Sequence, residues 1–332
     1  MAVATEDFDM DDDIKQARSL FELNKRVFAI LGVWPVHSTY RKFSVWIIYL
    51  LFHLTLLLAD LVHQFGDLEG VVLNLTESTF SVMVCCKMLV MRFSRTLVTL
   101  MVRIIDGVDL KFFDNHEELQ TYLGYNRIAK TFFKLWLTMG IVTAISFNLK
   151  CLEPRLKSAL RNESLPYVLP HRTRVFFEVT EPSTFWLIWL YQCPMAILSI
   201  YLAATIGYVF SLILHVCGKL SVLVVRIKRL DLATIEKDEA FRAAVFRDIL
   251  EKHLDILEMA QDINGVFGLV LLEELFSCTL LIGLTSYNVI QNVDLEETGL
   301  FFTYLSYGCT MLVLIYGYCV AGEYLITERR NS

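Results

Sequence analysis

Six separate stretches of this chain are apolar for the length that a lipid bilayer demands, and few folds can satisfy that condition. A helix needs roughly 20 mostly apolar residues, at about 1.5 Å rise each, to cross a hydrocarbon core of about 30 Å. The runs lie at Phe43–Val62, Val71–Met91, Phe132–Leu149, Phe185–Cys217, Val266–Ile290 and Leu300–Ala321. The third is the weakest, because its apolar run is short. A mean hydropathy of +0.50 and a charged fraction of 20% place the chain in the polytopic membrane class. Backbone groups in lipid must pair within their own segment, so the spans are helices. The expected fold is all-α: a helical bundle with six transmembrane helices. Its regions are a cytoplasmic N-terminal segment 1–42, a bundle over 43–321 with an inner anchor segment 218–264, and a cytoplasmic tail 322–332.

The fifth run does not begin at the membrane. From Arg247 to Tyr287 one helical pattern runs without a proline, first amphipathic through Ile249, Leu250, Leu254, Leu257 and Ala260. Between Leu275 and Ile290 it carries no charge. A water-side helix fused to a span exceeds the needs of a simple anchor and suggests a receptor or channel subunit.

Basic residues set the orientation. Most of them fall in the N-terminal segment, Arg92–Thr131, Gly218–Asn264 and the C-terminal tail. Lys150–Thr184 holds the few on the other side. The expectation is a cytoplasmic N-terminus, with the first span as insertion signal, since no signal peptide precedes it. That arrangement puts the sequon Asn162-Glu163-Ser164 outside, where Asn162 is a glycosylation candidate. A second sequon at Asn74 sits too near the bilayer. The acidic run Glu6–Asp13 reads as a solvated tail.

Motifs for catalysis are missing: no GxSxG, HExxH, P-loop or GxGxxG occurs, and no His pairs with a nucleophile at a readable spacing. The chain does not read as an enzyme. Its eight cysteines show no CxxC pairing, so neither a zinc site nor any other metal or cofactor is indicated. Cys151 and Cys193 both fall near the outer face; two unrelated thiols are the simpler reading and a disulfide the alternative. Nothing suggests a nucleic-acid partner. Among charges within spans, Lys87 reads as a snorkelling ammonium near the inner end. Glu273 and Glu274 read as a solvated inner collar, with a gating bridge to Lys219 or Arg226 as the alternative.

Aromatic residues give the better functional lead. Ile188, Tyr191, Gln192 and Met195 share one helical face in the outer half of span four. Phe80, Phe147 and Tyr304 lie at similar depth in spans two, three and six. Phe80, Phe147, Ile188, Tyr191, Met195 and Tyr304 together form a candidate pocket for a small volatile or lipid-like molecule. For each residue alone, plain helix packing is the simpler account.

These features have a family resemblance. Leu31-Gly32-Val33-Trp34-Pro35 before span one, Leu165-Pro166-Tyr167 with Pro170, Tyr191-Gln192, and His253 leading into the fused fifth helix are similar, in order and spacing, to the insect odorant receptor family over nearly the full chain. The resemblance implies an odour-specific subunit of a ligand-gated cation channel, assembling as a tetramer with a shared odorant co-receptor in the cell membrane of olfactory neuron dendrites. It implies odorant binding among spans two, three, four and six. Members have a seventh span that lines the pore; Gly322-Glu323 resembles the turn after span six, and the sequence reads as truncated before the last span. The competing readings are a gustatory receptor and, less favoured, a small-molecule transporter, against which no internal repeat is found.

Overall fold

The computed structural model describes residues 13, 15–17, 19–34, 36, 39–107, 113–161, 167–176, 179–229, 239–291 and 298–331. Asn162, Pro35 and the Leu165-Pro166 pair lie outside the described residues, as does most of the acidic run. Ten α-helices carry the described fold: α1 Glu22–Leu31, α2 Tyr40–His63, α3 Leu68–Phe93, α4 Arg95–Gly107, α5 His116–Leu149, α6 Leu152–Arg161, α7 Pro182–Gln192, α8 Pro194–Lys228, α9 Glu239–Gln291 and α10 Thr298–Asn331. No strand occurs among the described residues.

Six segments are long and apolar enough to cross a membrane: Tyr40–His63, Leu68–Phe93, His116–Leu149, Pro182–Lys228, Ala243–Ile290 and Phe301–Glu328. They coincide with the six runs, and the chain is a multi-pass membrane protein. Most are longer than the runs. α9 has 53 residues, about 80 Å at 1.5 Å per residue, against a hydrocarbon core of about 30 Å. The fused fifth helix is therefore one rod that projects beyond the bilayer. The short third run is the apolar half of α5, whose other half is polar. α10 runs on through Gly322 and Glu323 to Asn331, so no turn interrupts it there.

α8 is the axis of the bundle. Every residue from Tyr201 to Leu212 is buried, and α1, α3, α5, α9 and α10 all pack against it. Small side chains make this approach close. At Gly207 the Phe133 ring of α5 occupies the space a Cβ would take. Span four is broken at its outer end. Pro194 has no N–H to offer, and α7 stops at Gln192 with Cys193 N–H donating to Trp189 O.

On the N-terminal side, α1 is docked rather than free. Asn24 Nδ2 donates to Ala204 O at 3.3 Å, and Phe28 packs edge-on to Tyr201 and Tyr208. Gly32 ends α1 with φ of +72°, and its N–H returns to Phe28 O. A Cβ there would meet Thr39 O at 2.6 Å, so glycine alone fits the turn that sends Trp34 into the core. Beside it α4 lies along α9, where Arg103 holds Asp255 and, at 3.0 Å, Glu258. Arg226 of α8 bridges Glu118 at 2.6 Å and Asp114 at 3.0 Å.

Two expectations about polar residues, Lys87 and Glu274, are corrected here. Lys87 does not snorkel: it is 1% exposed and pairs at 3.1 Å with Glu274, also 1% exposed. Tyr318 donates to the other oxygen of Glu274 at 2.6 Å. Glu274 is thus no solvated collar, and its cation is Lys87 rather than Lys219 or Arg226. A buried ion is tolerated in an apolar bundle when it is paired, and here α3 and α9 supply the two charges while the α10 hydroxyl of Tyr318 donates to the carboxylate. Cys151 and Cys193 are free thiols; each turns toward Asn148, Cys151 to its backbone oxygen and Cys193 to its side chain.

Candidate functional site

The segment between α6 and α7 is drawn into the end of the bundle. Arg174 N–H donates to Leu56 O of α2 at 3.2 Å. Gln192, the last residue of α7, clamps His171 from both sides: its Oε1 accepts the His171 N–H at 3.0 Å, and its Nε2 donates to His171 O and to Thr173 Oγ1, both at 2.9 Å. Glu77 of α3 accepts the Arg172 N–H at 2.8 Å. The His171 side chain is thereby held inside the bundle, with Nδ1 3.5 Å from Glu77 Oε2. Lys150, just past α5, comes within 4.0 Å of Glu77 and lies over the Phe147 ring. Burial lowers the pKa of the Lys150 ammonium, and Glu77 opposes that shift.

Beneath this plug is a cavity among α2, α3, α5, α8 and α10, with about 760 Å³ of atom-free space including its open side. Its end nearest the plug is polar, with His53, Thr76, Glu77 and His171. Its floor and walls are mainly apolar, with Met83, Leu202, Ile206, Met311 and Leu314, and carry the hydroxyls of Thr143, Ser199, Tyr307 and Thr310. Trp136 and Phe147 mark its extent along α5, which at about 1.5 Å per residue gives a depth of about 16 Å.

Of the six pocket candidates, the cavity brings together Phe80, Phe147 and Met195. Ile188, Tyr191 and Tyr304 do not border it. Ile188 is buried elsewhere. Tyr304 stands behind Phe147 with ring centroids 6.1 Å apart. Tyr191 acts one step back, its hydroxyl 3.3 Å from His53 Nδ1. The break at Cys193–Pro194 explains the split, because residues seven apart share a face only in an unbroken helix. Asn74, in the second sequon, is buried and donates to Asp60 and Leu57 O, both at 2.9 Å.

Sequence reasoning missed the two histidines. His171 belongs to an irregular segment, and only the Gln192 clamp reveals that it enters the bundle. His53 carried a weak signal as a lone imidazole within an apolar run.

Known proteins were compared with the chain. The family profile described as 7tm Odorant receptor matches residues 67–331. A search of curated proteins gave no match. Among solved structures, the chain is similar to the insect olfactory receptor OR5 from Machilis hrabei, with a TM-score of 0.72 and 16% identity over 94% of this chain and 82% of that one. The structure of the same receptor in complex with eugenol gives a TM-score of 0.70 and 15% identity over 92% of this chain and 80% of that one.

Proposed function

The chain belongs to the 7tm Odorant receptor family, and from that premise we propose that it is an odour-specific subunit whose ligand is a small volatile molecule held in the cavity under the His171 plug. The observation that carries this reading is the cavity itself: mainly apolar walls, a polar end at His53, Glu77 and His171, and five bundle helices around it. The similar receptor from Machilis hrabei has been captured with a small aromatic molecule, eugenol, which agrees with a volatile ligand here. Phe80, Phe147 and Met195 are the contacts proposed from the original six. Tyr191 and Tyr304 support His53 and Phe147, and Ile188 packs the helix that ends in Gln192.

Ligand occupancy gates a cation channel formed with the odorant co-receptor in a hetero-oligomer. The N-terminus faces the cytoplasm of an olfactory neuron dendrite, and Asn162 is on the opposite side, open to glycosylation. Support for the orientation comes from the bias of Lys and Arg toward the α1 side. The test is a cavity-filling substitution at Ser199, which lines the pocket from α8. Under voltage clamp with the co-receptor and a broad odorant panel, Ser199→Phe should abolish responses while surface abundance stays at the parent level. Unchanged odour responses in that variant would count against the cavity as the ligand site.

A further inference from the structure

The polar end of the cavity contains an unmet demand. His53 Nε2 and His171 Nε2 are both buried and have no hydrogen-bond partner among the described residues. Their residues are 0% and 8% exposed and both line the cavity. The rings stand 5.9 Å apart between centroids and nearly perpendicular, at 87°. Buried polar atoms left unpaired are costly, and a bound ligand is one way of pairing them.

Surrounding groups fix what each nitrogen can do. Tyr49 donates its hydroxyl to Tyr191 O at 3.0 Å. The Tyr191 hydroxyl itself faces His53 Nδ1 at 3.3 Å. The half-buried Tyr191 hydroxyl donates to Nδ1, which leaves the imidazole hydrogen on Nε2. His53 therefore presents a donor to the cavity. His171 is opposite in sense. Its Nδ1 faces a carboxylate oxygen of Glu77 at 3.5 Å, and a carboxylate only accepts, so Nδ1 carries the hydrogen. With the hydrogen on Nδ1, the imidazole of His171 presents Nε2 to the cavity as an acceptor.

Glu77 Oε1 at the same end is also without a hydrogen-bond partner among the described residues, as are Tyr307 Oη and Trp136 Nε1 elsewhere in the lining; a donor on His53 beside acceptors on His171 and Glu77 matches a group that both accepts and donates. We infer that the ligand class of this cavity is the neutral alcohol: a hydrocarbon body with one hydroxyl that donates to His171 Nε2 and accepts from His53 Nε2. The body extends toward Trp136 between Met83, Leu202, Ile206 and Met311. Ethers, aldehydes and ketones only accept and leave His171 unpaired. A carboxylate ligand would set its charge against Glu77 and the apolar walls, and an ammonium would have to compete with Lys150 for Glu77. This inference rests on the reading of the cavity as the ligand site.

The experiment uses the full chain, purified in amphipol, and reads the part of its fluorescence change that disappears in Trp136→Phe, so that only occupancy of this cavity is scored. The probes are 1-octanol, octanal, heptyl methyl ether and nonane, matched in heavy atoms, with octylamine as the charged comparison. Octanol should bind about tenfold more tightly than the ether, the loss of one hydrogen bond. In His171→Phe and in His53→Phe that preference should shrink to within about threefold while nonane binds as before, which shows the chamber intact. Tyr191→Phe, outside the lining, should weaken the preference in the same direction by releasing the proton on His53. Equal binding of octanol and ether by the parent chain, tighter binding of octylamine, or a preference that survives both histidine substitutions would overturn the alcohol assignment and leave the cavity as the site. If none of the probes gives a Trp136-dependent signal, the cavity is not the ligand site and the alcohol assignment falls with it.

Discussion

The most apolar stretches of α2 and of the span formed by α7 and α8 are almost equally apolar, yet 22% of the first is buried and 78% of the second. Hydropathy reports that both leave water. It does not report what replaces the water. Along α2, Val45, Ile48 and Phe52 point out of the bundle, toward lipid, which accepts a bulky side chain as readily as a protein core does. In α8 the run Ala203-Ala204-Thr205 with Gly207 and Ser211 keeps the helix thin, and neighbours close in from every side. Without a hydrophobic drive between helices in lipid, such close packing and buried hydrogen bonds select the central span.

If burial rather than hydropathy sets sensitivity, the largest effect belongs to a charge on a span of intermediate burial. Glu274→Leu leaves Lys87 buried and unpaired, and should cost about 3–5 kcal/mol, seen as loss of monodisperse protein at the membrane. Adding Lys87→Met should recover most of that loss; a double variant as unstable as the single one would show that the pair is not what the bundle depends on. Next comes Gly207→Leu at the centre of α8. Overpacking against Phe133 should cost about 1–3 kcal/mol, read as a fall in the thermal midpoint of the purified chain, and a companion Phe133→Ala should offset part of it. The smallest effect is expected on α2. Leu58 is 48% exposed, and Leu58→Ala should change stability by no more than about 0.5 kcal/mol. A drop as large as that of Gly207→Leu would erase the distinction between the two spans.

How much of this was legible beforehand follows the same division. Span number, helical class and the fused fifth helix are properties of local pattern, and the six runs displayed them. Phe80, Phe147 and Met195 were readable because each sits on the inward side of a regular helix. Ile188 and Tyr191 were assigned to the same face as Met195, which presumes that the helix survives Pro194. Lys87 and Glu274 looked like interface residues because each was judged against its own span; they meet only when α3 and α9 are packed together. His171 was hidden for a different reason. Its position depends on Gln192, Glu77 and Leu56, drawn from three helices, and no periodicity in an irregular segment encodes that.

The docking of α1 on α8 has a consequence for synthesis. Asn24 emerges from the ribosome long before Ala204, the residue it finally bonds. At roughly 5–20 residues per second, the wait lasts on the order of ten to forty seconds. Through that interval Phe28, Leu31 and Trp34, all buried in the finished protein, have no native surface to cover them. Maturation of this receptor thus contains a built-in delay, during which its first helix must be sheltered by the membrane surface or by a chaperone until the fourth span arrives.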